Sequence, residues 1–270
     1  MLRLYSLLAA CFCAAASPAA PEVTWQQLSP GLALGEYRPT VKSDIGDSKI
    51  TILRINPRQY SFRLLESVRY KGKARTAAQW CQQEKLLACI NAGMYQPDGR
   101  SVGYMRDHQS INNASLGNDN SILVFNPADS LRPAIKLIDR SCETDWAQQL
   151  RAYHSASQSI RMVDCQGRNT WAAQPKRWSS AVWAMDQDGN ALMIFCRSPY
   201  SMHDYVDILL QSPLKISQAM YLEGGPEASL SIRSGQTVRN LFGSYETGFV
   251  ENDNSQAAFP LPNVIGIVKK

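Results

Sequence analysis

The 270-residue chain reads as an α+β protein, with a mixed β-sheet core and about three helices in a single domain. Three observations lead there. Apolar runs of strand length, bounded by Gly, Pro, Asn and Asp, recur along the whole sequence. Only a few segments carry a helix signature. No internal repeat, low-complexity tract or compositional break divides the chain, whose length suffices for one full core. The expected organisation is a leader over 1–20, a polar lead-in over 21–48 and one domain over 49–270.

Taken in order, residues 49–56 and 61–67 read as two strands, joined into a hairpin by Asn56-Pro57-Arg58-Gln59. Thr76-Ala77-Ala78-Gln79 has capping-box form and opens a helix reaching to about residue 85. Residues 86–90 form a short strand that ends at Asn91-Ala92-Gly93-Met94-Tyr95. The stretch 96–121, rich in Gly, Asn, Asp and Ser, reads as a long functional loop. Residues 121–126 form a strand, 145–157 a helix and 160–164 a strand. Residues 181–185 and 191–196 flank Asp186-Gln187-Asp188-Gly189-Asn190, a hairpin signal. A helix opens near Ser201. Residues 219–222 form a buried strand that stops at Glu223-Gly224-Gly225, residues 229–233 and 236–240 bracket a Ser-Gly turn, and 264–268 close the chain.

Arg3 followed by an apolar run over 4–16 and small residues to Ala20 is the pattern of a secretory signal peptide, with cleavage near Ala16 or Ala20. The run is too short to span a membrane. Export to a periplasm or the exterior is therefore expected, with lipidation of Cys11 through a lipobox-like Leu8-Ala9-Ala10-Cys11 as the alternative. In an oxidising compartment the remaining cysteines would form two disulfides and leave one thiol. Cys81/Cys89 and Cys142/Cys165 are the sequence-nearest pairs. The cysteines lack zinc-ligand spacing and His108, His154 and His203 are scattered, so no metal is expected. A net charge of +5 is mild. The basic cluster over 54–75 suits a solvated hairpin face or a field for an anionic ligand, and no nucleic-acid motif accompanies it.

Three segments share one pattern, a buried strand running into a loop of small polar residues: Asn91-Ala92-Gly93, Arg197-Ser198-Pro199-Tyr200-Ser201 and Glu223-Gly224-Gly225. Convergence of such strand ends would build a crevice. Arg197 offers a guanidinium suited to phosphate or carboxylate. The helix start near Ser201 offers free N–H groups, with His203 and Asp204 in its first turn. Glu223 at a strand end suits a general acid, since partial burial would raise its pKa. Glu227, Asp204 and Asp98 are candidates for a second carboxylate, as two-carboxylate glycoside hydrolysis requires. The chain has no GxGxxG, P-loop lysine or GxSxG, so no nucleotide cofactor or serine-hydrolase elbow is expected.

Ile90-Asn91-Ala92-Gly93-Met94-Tyr95 and Tyr221-Leu222-Glu223-Gly224-Gly225-Pro226-Glu227-Ala228-Ser229-Leu230 resemble two motifs of the phosphodiester glycosidase domain family. The Asp186–Gly189 hairpin, the Arg197-Ser198-Pro199-Tyr200-Ser201 run and the segment 158–167 stand in that family's order. The resemblance spans residue 49 to the C-terminus. Glu223 replaces the more usual aspartate, Met94-Tyr95 replaces an aromatic pair, and Gly-Pro is absent after Gln158. The resemblance implies hydrolysis of a sugar-1-phosphodiester at its glycosidic bond, without a cofactor. It implies Glu223 as acid or base, with His203 second. Arg197, Ser198 and the N–H groups at Ser201 would hold phosphate. Asn91, Gly93, Tyr95, Asp204, Gly224, Gly225 and Ser229 would line the substrate pocket. The alternative is a non-catalytic envelope module that binds sugar phosphates or polysaccharide, or an envelope protein in which these loops are only turns.

Overall fold

The computed structural model describes residues 22–270; the leader expected over 1–20 lies outside the described residues. Three sheets and three helices make one α+β domain. Every strand pairing within the three sheets is antiparallel, so the mixture is of helix with sheet and not of strand directions.

The first sheet runs, in spatial order, Thr24–Ser29, Leu32–Tyr37, Ile50–Ile55, Ala191–Ser201, Arg177–Asp186, Ile216–Gly224 and Arg161–Val163. Residues 21–48, read as a lead-in, thus supply two of its strands, and Leu32 and Leu34 enter the core. The second sheet orders Ser110–Asn113, Met105–Asp107, Tyr153–Ser159, Ser121–Pro127 and Ile135–Asp139. The third orders Thr237–Phe242, Ser229–Ser234, Ala88–Asn91, Asn263–Lys269 and Tyr60–Glu66. One apolar core joins all three, with Leu53, Trp183 and Met193 from the first, Phe125 and Leu137 from the second, and Phe62, Ile90 and Ile265 from the third. The other face of the first sheet is covered by helix Met202–Gln211, which seats Tyr205, Val206 and Leu209 on Val182, Ile194 and Ala219.

Several local expectations hold because short-range chemistry decides them. The Thr76 hydroxyl accepts from Gln79 N–H and the Gln79 side chain accepts from Thr76 N–H, a full capping box on helix Ala77–Gln83, worth about 1 kcal/mol. The Asp186–Asn190 turn joins the longest strand pair. The expected disulfide Cys142–Cys165 is present, and closing its loop removes about 3 kcal/mol of unfolded-chain entropy.

Others are overturned. Ile50–Ile55 and Tyr60–Glu66 are strands but not a hairpin: the first pairs in sheet one, the second with Asn263–Lys269 in sheet three. Of the basic residues over 54–75, Arg58, Lys71 and Lys73 are exposed, while four arginines are engaged by neighbours. Arg54 covers the Trp25 ring, Arg69 pairs with Asp107, and Arg63 and Arg75 share Glu84. The loop expected over 96–121 contains a hairpin, Met105–Asp107 with Ser110–Asn113. The helix expected over 145–157 ends at Arg151, and Tyr153–Ser159 is a strand held between two neighbours. Cys81 and Cys89 are not bonded; their thiols lie 3.3 Å apart in the core.

Candidate functional site

Strand Ile216–Gly224 reaches the site through an irregularity. Val182 pairs with Tyr221 and Ala181 with Glu223, so Leu222 has no opposite number. Such a bulge re-aims side chains at a strand end. Leu222 is fully buried in the shared core, whereas Glu223 keeps a solvent-facing side.

The chain then turns sharply. Gly225 takes φ +59°, the left-handed region that glycine enters freely. A Cβ on it would overlap the Glu246 carboxylate, and one on Gly224 would overlap the Tyr221 hydroxyl and the Trp178 ring. Both glycines therefore let functional groups lie flat against the main chain. The turn Gly225–Glu227 is locked by Asn91, whose buried amide donates to Glu227 O (3.0 Å) and accepts from Ser229 N–H (2.7 Å). Two of the three expected strand ends, those at Asn91 and Glu223, are thereby tied together.

Three carboxylates result. Glu223 Oε1 accepts from Gly224 N–H at 3.1 Å. Burial, reinforced by Glu227 and Glu246, outweighs that bond and pushes its carboxyl up to about 8. Glu227 is also raised, first by burial and then by Glu246. Burial raises Glu246, partly offset by Lys176. Tyr95 is near enough that Glu223 and Glu227 add to the burial that raises its hydroxyl. Beside the acids stand Trp171, Trp178 and Tyr221, with ring centroids 5.4–6.4 Å apart. The two tryptophans are half-buried, and the Trp178 indole nitrogen has no hydrogen-bond partner. Carboxylates beside aromatic faces suit a polyhydroxylated ligand, whose hydroxyls donate to the acids and whose C–H faces lie on the rings.

The remaining expected residues lie elsewhere. Arg197 and Ser198 are not in a loop, because strand Ala191–Ser201 continues through them. The Arg197 guanidinium is spent on Asp253 (2.6 Å) and on the carbonyls of Phe242, Asp253 and Ser255. Ser198 is buried and accepts from Ser48 N–H. The Ser201 hydroxyl accepts from Asp204 N–H and donates to the Asp204 carboxylate, so the helix start is already occupied by a carboxylate. The His203 ring N–H is 2.6 Å from Trp171 O, tethering the backbone that carries one of the aromatic rings. Gly93 lies beneath the Ser157 hydroxyl. Asp98 is exposed and paired with Arg100. Ser229 is wholly buried and serves the Asn91 lock.

Glu246, Trp171 and Trp178 are not marked by the sequence, and Tyr221 stands in the Glu223 motif without an assigned role. Glu246 comes from an irregular segment without periodicity and is brought in by its bridge to Trp178. Two clefts are lined by other residues. One of about 450 Å³ involves Arg197, Ser198 and Lys49. Another of about 1190 Å³ opens at the far end of the strands beside the Asp186–Asn190 turn. Among the described residues one group of metal-type ligands converges, Asp139 with Cys142 and Cys165; its cysteines are disulfide-bonded and offer no thiolate.

The domain is thus an antiparallel α+β fold that gathers acids and aromatic rings at its strand ends. A phosphodiester glycosidase family model matches residues 84–268, and the chain belongs to that family. The catalytic domain of zebrafish N-acetylglucosamine-1-phosphodiester alpha-N-acetylglucosaminidase, auto-inhibited by its pro-peptide, shares the fold. Its TM-score is 0.65 at 12% identity, over 93% of this chain and 89% of that one. A hypothetical protein from Synechocystis gives a TM-score of 0.63 at 15% identity over 93% of this chain, which spans 64% of that protein's length. Comparison with curated proteins returned no match.

Proposed function

We propose that this protein hydrolyses the glycosidic bond of a sugar-1-phosphodiester at the carboxylates around Glu223, releasing free sugar and a phosphomonoester. The observation that carries the reading is a carboxyl near pKa 8 at a family motif, with two further carboxylates within electrostatic reach. At neutral pH Glu223 is mostly protonated. It donates that proton to the phosphate oxygen leaving the anomeric carbon, while Glu227 or Glu246 takes a proton from the attacking water. One water is consumed: its hydroxyl goes to carbon and its other proton replaces, through the acids, the one Glu223 gave.

Phosphate is best met at the rim. Arg177, whose own partner Asp44 is solvent-exposed, and exposed Lys176 stand beside Trp178 and Glu246, whereas Arg197 is committed elsewhere. The Cys142–Cys165 disulfide and the leader pattern in the sequence support a periplasmic or secreted site of action. No helix among the described residues is long and apolar enough to cross a membrane.

The test is release of reducing sugar from a panel of methyl phosphodiesters of glucose, galactose, mannose and N-acetylglucosamine 1-phosphates. Turnover abolished in Glu223→Gln is the expected result. Absence of turnover across the panel, with saturable binding retained, would replace this reading by the non-catalytic binding module.

A further inference from the structure

Helix Ala77–Gln83 packs across strand Ala88–Asn91, and each element turns a cysteine towards the other. Cys81 and Cys89 are exposed by only 1% and 0% and sit among Trp80, Leu86 and Val264. Their sulfurs are 3.3 Å apart, so a disulfide asks for only about 1.3 Å of further approach. The structure holds the pair as thiols. Cys196 is buried in a different apolar cluster, where its sulfur meets Ser198 O at 3.3 Å.

The pair occupies a position that bears on the site. Cys89 lies in the interior of its sheet, opposite Ser231 on one side and Gly266 on the other. Asn91 is two residues further along, on the same face of the strand, and it locks the Gly225–Glu227 turn. A bond between Cys81 and Cys89 would fix the helix to the strand from which that lock projects.

We infer that Cys81 and Cys89 are a cross-linking site: when the chain folds in an oxidising compartment the pair becomes a second disulfide, which the core then encloses. The inference needs no particular substrate and stands apart from the glycosidase reading. The bond forms by exchange with a small or protein disulfide. One thiolate attacks the oxidant's S–S bond, giving a mixed disulfide and releasing the first half of the oxidant as a thiol. The second cysteine displaces the other half. Two electrons and both cysteine protons end on the oxidant, which leaves as two thiols. Because the finished fold encloses both sulfurs, exchange precedes closure of the core, and the enclosed bond resists reductant until the core opens. Cys142 and Cys165 are both exposed, so their bond is the first to yield.

Refolding the full chain in glutathione buffer, with the oxidised form in excess, tests the cross-link. The product is alkylated in denaturant and digested with trypsin without reduction. Trypsin cuts after Arg75, Lys85 and Arg100, so peptides 76–85 and 86–100 stay together only through a Cys81–Cys89 bond. The linked pair is expected in most of the folded protein, with Cys196 alkylated as a free thiol. Separate alkylated peptides, or linkage of either cysteine to any other, overturns the inference. Dithiothreitol added to the folded protein should open Cys142–Cys165 about tenfold or more faster than Cys81–Cys89; the reverse order overturns the enclosure. In a Cys142→Ala/Cys165→Ala variant the oxidised protein should melt about 5–10 °C above the reduced one, as a loop of about nine residues implies in a domain of this size. Equal melting temperatures overturn the clamp, and should that variant not fold, the peptide map of the unaltered chain decides.

Discussion

Glu223→Gln should stabilise the protein while abolishing activity. In the unfolded chain this carboxyl titrates near 4.5, and in the fold it titrates at about 8. Because the folded value is the higher one, the sign is fixed. Below pH 4.5 both states hold the proton and the group is neutral in its effect on stability. As pH rises from 4.5 towards 8, the unfolded chain ionises freely and the folded one does not, so stability is lost. At 1.36 kcal/mol per pH unit, the penalty reached at pH 7 is roughly 3 kcal/mol. Glutamine has the same shape, cannot ionise, and keeps an oxygen to accept from Gly224 N–H. For a domain of this size each kcal/mol moves the melting temperature by about 2–4 °C, so the variant should melt roughly 6–12 °C higher at pH 7. Differential scanning calorimetry at pH 4.5, 6, 7 and 8 tests this. The two curves should converge at pH 4.5 and diverge steadily above it. Equal melting temperatures at pH 8, or a constant offset at every pH, would refute the assignment of a raised carboxyl at this position.

Three further outcomes follow from the site and its surroundings. Asn91→Ala leaves Glu227 O and Ser229 N–H without their buried partner, so chemical denaturation should show a loss of about 2–4 kcal/mol, with sugar release falling further than the stability loss explains. Gly225→Ala must hold φ +59° and displace the Glu246 carboxylate; it should lose about 1–2 kcal/mol and lower kcat. Glu66 is wholly buried with neither carboxyl oxygen hydrogen-bonded and is raised chiefly by burial. Glu66→Gln should therefore raise the melting temperature at pH 8 and leave it unchanged near pH 4.5, and a loss of stability at both pH values would show an ionised, partnered Glu66.

The parts of this fold that were legible in the sequence are those governed by neighbours along the chain. The capping box at Thr76, the turn at Asp186–Asn190 and the strand-to-glycine break at Glu223 each complete their chemistry within a few residues. The unread parts depend on partners far away. Tyr60–Glu66 looks like half of a local hairpin until Asn263–Lys269 arrives to pair with it. After Tyr153 and His154, the strand Tyr153–Ser159 is built of serine, alanine and glutamine and shows no apolar alternation. Its place between two strands makes it a strand, and Ser155 and Ser157 spend their hydroxyls on Asp107 and on Ala92 O. Arg197 reads as a phosphate ligand only while Asp253, 56 residues downstream, is out of view. In the site the same division holds: Glu223, Gly224, Gly225 and Asn91 were legible from their motifs, whereas Glu246 was not, since nothing near it in sequence marks it.

On the function proposed for Glu223, the stability lost there and the proton it would donate are one quantity seen from two sides. A glutamate titrating at 4.5 is protonated in only about one molecule in 300 at pH 7, so it is almost never ready to act as an acid. Held at about 8, the same group carries its proton in about nine molecules in ten. The gain of nearly 300-fold in competent protein corresponds to the same roughly 3 kcal/mol that the fold gives up. The enclosure that produces the shift has local structural causes: the bulge at Leu222, the bare backbone of Gly224 and Gly225, and the acids Glu227 and Glu246 brought over that backbone. Burial is the largest of them, so neutralising Glu246 alone should lower the Glu223 pKa only in part. The two contributions are thereby separable: the alkaline limb of a pH–rate profile should shift only modestly to lower pH in Glu246→Gln, whereas Glu223→Gln leaves no rate to titrate.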